Sequence, residues 1–101
     1  HGLATEIMTG EKNKLVSSPL FAGLTDQFMV GRYHSWIVSE ESFPDELEIT
    51  ARDEQGYIMA LQHKTYDVQG VQFHPESVLT PVGEQIMRNW LTPTPIPTPV
   101  P

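Results

Sequence analysis

The chain has 101 residues, no cysteine, and a net charge of −7 from 13 acidic and 6 basic side chains. Its length accommodates one domain. The charge argues against a nucleic-acid partner, since no basic stripe is present to displace counterions, and the lack of cysteine excludes disulfides, thiolate metal sites and a thiol nucleophile within these residues.

The apolar runs fall far short of the ~20 residues of a membrane-spanning helix. No signal-peptide pattern opens the chain, so the expected compartment is the cytoplasm. Residues 1–25 hold turn material at Ser17-Ser18-Pro19 and a short apolar patch at Leu20-Phe21. Phe28 to His34 and Trp36-Ile37-Val38 read as strand from their β-branched and aromatic content, with Gly31 implying a bulge or a close backbone approach. Glu40 to Glu46, with Pro44, reads as a solvated acidic loop. Leu47 to Ala51 alternates apolar and polar, as a half-buried strand does. Asp53-Glu54-Gln55-Gly56 is a turn signal leading to a second strand at Tyr57 to Leu61, and His63 just beyond it reads as structural. Tyr66-Asp67 marks another turn, and Val68 to Phe73 a third strand that ends at His74-Pro75.

A terminal helix follows. Thr80 suits its N-cap and Pro81 its first position. Val82, Ile86, Met87, Trp90 and Leu91 recur on one face, with Met87 and Trp90 expected in the core. Residues 93–101 hold five of the nine prolines, alternating with Thr, Ile or Val, the composition of an extended polyproline-type tail. The expected organisation is a folded unit over 1–92 and a tail over 93–101. The fold class is α/β, a mixed open sheet with a flanking helix.

The segment Gly70-Val71-Gln72-Phe73-His74-Pro75-Glu76-Ser77 carries the chemistry. Pro75 pushes His74 into an extended conformation, and residues two apart in extended chain point to the same side. Glu76 can then accept a hydrogen bond from one ring nitrogen of His74, fixing the tautomer and leaving the other nitrogen to exchange a proton with a nucleophile. Without a third group the same pair is only a surface His and Glu at a capped strand end. A metal site built from His34, His63, His74 and Glu76 matches no standard zinc spacing. Ser35 lacks the glycine elbow of a serine nucleophile.

The string at 70–77 resembles the C-terminal signature of the class I (triad) glutamine amidotransferases. Arg32-Tyr33-His34-Ser35-Trp36 is similar to a block found in the branch of that family whose partners use chorismate, in anthranilate or aminodeoxychorismate synthesis. His1-Gly2, Leu20-Phe21 with Gly23-Leu24, Ile58-Met59-Ala60 with His63, Val78-Leu79-Thr80 and Asn89-Trp90-Leu91 agree with it, so the resemblance covers about residues 1–91. It implies a Cys-His-Glu triad in which His74 is the general acid/base and Glu76 its orienter. It further implies a backbone contact to the substrate L-glutamine at Ser35 and Trp36, where Trp36 departs from the family's Leu. The implied partner is a chorismate-binding synthase subunit that receives ammonia; no cofactor, metal, nucleic acid or membrane is implied. The nucleophile elbow and the glycine-rich oxyanion loop are absent, so the resemblance implies the C-terminal half of the domain, inactive alone. The tryptophan-pathway glutaminase is the leading expectation. The alternatives are the folate-pathway counterpart and a non-catalytic amidotransferase-like module.

Overall fold

The computed structural model of the chain describes residues 3–32, 39–41, 43–77 and 79–91. Five strands form one sheet: β1 (Leu3–Thr9), β2 (Gln27–Arg32), β3 (Leu47–Asp53), β4 (Ile58–His63) and β5 (Gln69–Val71). Their order is β2-β1-β3-β4-β5. Every pairing among these strands is antiparallel. One α-helix, α1 (Gly83–Leu91), flanks the sheet. The α/β expectation holds, with a sheet that is antiparallel throughout the described residues.

The strands expected at Leu47–Ala51, Tyr57–Leu61 and Val68–Phe73 fall at β3, β4 and β5; of the strand expected over Phe28–His34, Phe28 to Arg32 lies within β2, and the rest of it, with the strand expected at Trp36–Val38, lies outside the described residues. The sequence reading missed β1. Leu3-Ala-Thr-Glu-Ile-Met-Thr9 carries few large apolar residues, yet it pairs with both β2 and β3 and so lies inside the sheet. Ile7 is fully buried opposite Phe28 and Asp53. Burial of each such side chain contributes roughly 1.5–3 kcal/mol, enough for a few inward residues to hold a strand that reads as weak.

The core gathers Ile7, Phe28, Val30, Ala51, Met59 and Ala60 from the strands, Phe73, Ile86 of α1, and Leu20 and Phe21. The last two sit in a 3-10 turn over Pro19–Phe21, started by Ser18 Oγ accepting from the Leu20 N–H at 3.1 Å. The Phe21 and Phe28 rings meet at 5.5 Å. Asn89 fastens α1 to the turn, its Nδ2 donating to the carbonyls of Leu20 at 2.8 Å and Ala22 at 2.9 Å.

Two expectations about the helix are corrected. It begins at Gly83, and the Thr80 hydroxyl serves other groups. Its buried face is Gly83 and Ile86 alone, while Met87 and Trp90 are 40% and 43% exposed and Leu91 more so. Helical periodicity marks a face but not its width. Here the 3-10 turn covers only a narrow stripe. The acidic residues Glu40, Glu41, Asp45 and Glu46 are exposed, as expected. Residues 93–101 lie outside the described residues.

β2 and β5 occupy opposite edges of the sheet. Yet His74, three residues past β5, forms an antiparallel bridge to Gly31 of β2. The sheet therefore curls until its two edges meet, and His74 stands at that seam.

Candidate active site

The site is assembled on the chain that leaves β5. Gln72 N–H donates to the Met59 carbonyl at 2.8 Å, prolonging the β4 edge, and Phe73 turns into the core. His74 N–H donates to the Gly31 carbonyl at 2.8 Å. The chain then bends tightly, with Ser77 N–H bonded to the His74 carbonyl at 3.1 Å and Thr80 N–H to the Ser77 carbonyl at 2.9 Å. His74 Nδ1 and Glu76 Oε1 lie 2.6 Å apart. The expected pairing of these two side chains is thus present, as a short charge-assisted contact. His74 is 32% exposed and Glu76 68%. The carboxyl of Glu76 is held below its ordinary value, first by a hydrogen bond from its own backbone and then by the His74 ring. With Nδ1 committed to the carboxylate, Nε2 is the nitrogen suited to proton exchange.

Three small residues that sequence reasoning did not assign to the site make this geometry possible. The Thr80 hydroxyl accepts from the Gly31 N–H at 2.7 Å and donates to the His74 carbonyl at 2.7 Å. Gly31 lies so close to the turn that a Cβ there would stand 2.7 Å from Ser77 Oγ and 3.0 Å from Leu79 Cβ; the glycine in the strand did signal a close approach, though not to what. Gly83, the first residue of α1, abuts Pro75, where a Cβ would fall 1.7 Å from the carbonyl oxygen. The run Thr80-Pro81-Val82-Gly83 reads locally as a helix start, which concealed its contact with the His-Pro-Glu turn.

Residues 2–93 match the family described as glutamine amidotransferase class-I. The chain belongs to that family. It is 47% identical over 93 residues to anthranilate synthase beta subunit 2, chloroplastic, of Arabidopsis thaliana, a match covering 90% of this chain and 33% of that protein. Aminodeoxychorismate synthase component 2 of Klebsiella aerogenes is 39% identical over 90 residues, covering 87% of this chain and 48% of that one. Among solved structures, a Thermoplasma acidophilum protein described as a subunit of GMP synthase aligns with a TM-score of 0.73 and 26% identity over 86% of this chain and 40% of the other. The amidotransferase chain therefore spans between a third and a half of the length of these relatives.

Ser35 and Trp36, with Tyr33 and His34, lie outside the described residues. Arg32, at the head of that block, pairs with Asp53 at 3.4 Å. Asp53 is 3% exposed, and its other carboxylate oxygen accepts the N–H groups of Gln55 and Tyr57, both at 2.9 Å. Beyond the block, Glu40 pairs with Arg52, which also donates to the Gly56 carbonyl at 2.7 Å; the arginine holds the Glu40 carboxyl below its ordinary value. Arg32 and Glu40 are thus both tied to the C-terminal end of β3. His63 is structural, as expected: Nδ1 accepts from the N–H groups of Thr65 and Tyr66, both at 3.0 Å, and its ring packs on Tyr66.

Proposed function

We propose that this chain is the acid/base portion of the glutaminase component of anthranilate synthase, which hydrolyses L-glutamine and passes ammonia to a chorismate-binding synthase subunit. The observation that carries the reading is the 2.6 Å contact between His74 Nδ1 and Glu76 Oε1 at the seam of the sheet. Family membership and the names of the relatives support it, and the higher identity to the anthranilate synthase subunit than to the aminodeoxychorismate synthase component favours the first pathway.

In this reading a cysteine from another part of the domain supplies the nucleophile, since none of the 101 residues is a cysteine. His74 Nε2 takes the thiol proton, and the thiolate attacks the side-chain amide carbon of glutamine. The imidazolium returns the proton to the departing nitrogen, releasing ammonia and leaving a glutamyl thioester. Nε2 then deprotonates water, which hydrolyses the thioester to glutamate and restores the thiol. Glu76 holds the ring tautomer and stabilises the imidazolium in both halves. Ser35 and Trp36 contact the glutamine through their backbone. The chain alone is inactive, because a base and its orienter act only on a positioned nucleophile.

The test is His74→Ala in the complete protein with its synthase partner. Glutamine-dependent formation of anthranilate should vanish while ammonia-dependent formation persists. Equal loss of both, or retained glutamine use, contradicts the assignment. Formation of aminodeoxychorismate in place of anthranilate would assign the chain to the folate pathway.

A further inference from the structure

We infer that Thr80 is a positioning residue for His74, acting through a single buried hydroxyl that fixes the backbone from which the imidazole projects. This rests on the acid/base role proposed above and adds to it the element that holds the base in place.

Thr80 is 4% exposed. Its Oγ1 accepts from Gly31 N–H and donates to the His74 carbonyl, both at 2.7 Å, while His74 N–H donates to the Gly31 carbonyl at 2.8 Å. These three bonds close a ring: Gly31 to hydroxyl, hydroxyl to His74, His74 back to Gly31. Both main-chain polar groups of His74 are thereby referred to one residue of β2. The acceptor at Nδ1, by contrast, sits on an exposed turn. Glu76 can set the rotation of the ring but not the location of its Cα, because it moves with the same turn. The Thr80 hydroxyl ties that turn to the sheet. A hydroxyl is suited to the task because it donates and accepts at once, and without it the buried Gly31 N–H loses its acceptor while the His74 carbonyl is left with the Ser77 N–H of its own turn.

Thr80→Val keeps the shape and removes the bridge; Thr80→Ser keeps the bridge and removes a methyl. In the complete protein, read per folded molecule, Thr80→Val should lower kcat for glutamine hydrolysis about a hundredfold with KM changed less than about threefold, since displacement of the base by about 1 Å costs on that order. Thr80→Ser should restore kcat to within about threefold of wild type. The Nδ1–H resonance of His74 should weaken in Thr80→Val and persist in Thr80→Ser. If Thr80→Val does not fold, Thr80→Ala carries the same comparison. Wild-type kcat in the valine or alanine variant, a loss confined to KM, or a serine variant as impaired as the valine one overturns the inference. If wild-type protein releases no ammonia from glutamine, the amidotransferase reading fails. The resonance then decides the positioning role separately, and an unchanged His74 signal in Thr80→Val overturns it.

Discussion

Gly83 is pressed against Pro75: a Cβ on the glycine would lie 1.7 Å from the proline carbonyl oxygen and 2.8 Å from its carbon. The start of α1 and the centre of the His-Pro-Glu turn are thus in direct backbone contact, and the space between them admits only hydrogen.

Gly83→Ala therefore sets two effects against each other. Helix propensity favours alanine by up to ~1 kcal/mol. The clash is with backbone and cannot be relieved by a rotamer change, so it exceeds the usual overpacking range and costs about 3 kcal/mol or more. Urea unfolding should show net destabilisation. A neutral or stabilising result would mean that α1 can slide off the turn.

Ile86→Ala and Met87→Ala separate the buried face of α1 from the face that periodicity suggests. Ile86 is fully buried in the core cluster, so its truncation should cost about 2–4 kcal/mol. Met87 is 40% exposed, and its truncation should cost under about 1 kcal/mol. Equal costs in thermal or urea unfolding would place both residues in the core.

Asp53 answers a half-buried guanidinium and two backbone N–H groups at once. Asp53→Ala should cost about 3 kcal/mol, because it removes the charge opposite Arg32 and the acceptor of both turn N–H groups. Asp53→Asn keeps an oxygen for the turn and loses the charge and the acceptor opposite Arg32, so it should cost about half as much. An asparagine variant as unstable as the alanine one would show that the ion pair outweighs the turn.

Glu76 gives the site its acid limb. Its carboxyl is held below the ordinary value in the folded chain. A depressed carboxylate contributes stability at pH above its unfolded value and loses that contribution as pH falls through the folded one. The His74–Glu76 contact should therefore persist at neutral pH and fail only in acid, with a carboxyl titration by carbon NMR centred below the ordinary glutamate midpoint. Added salt should move that midpoint back, since the group is exposed. Glu76→Gln should abolish this titration, lower the glutaminase rate of the complete protein by roughly tenfold or more, and leave the fold intact. A wild-type rate in that variant counts against the orienting role.

The sequence by itself determined the chemistry that could reside here. His74 and Glu76 were legible because Pro75 enforces extended chain between them, a local effect that needs no tertiary contact. Strands β3, β4 and β5 were legible from local signals too: alternation in β3, an apolar run in β4, and the turn residues between the three. Only the tertiary structure decided what surrounds the pair. β1 has few apolar residues and becomes a strand through pairing on both sides. Thr80 and Gly83 have the local character of a helix start, and their contacts with His74 and Pro75 arise only because α1 is anchored by Asn89 over the 3-10 turn at Pro19–Phe21. Gly31 announced a close approach, but its partner lies more than 40 residues away along the chain and meets it only because the sheet curls edge to edge. Local conformation follows from residue type and spacing; the seam that fixes His74 follows from curvature and packing summed over the whole sheet, which no window of sequence contains.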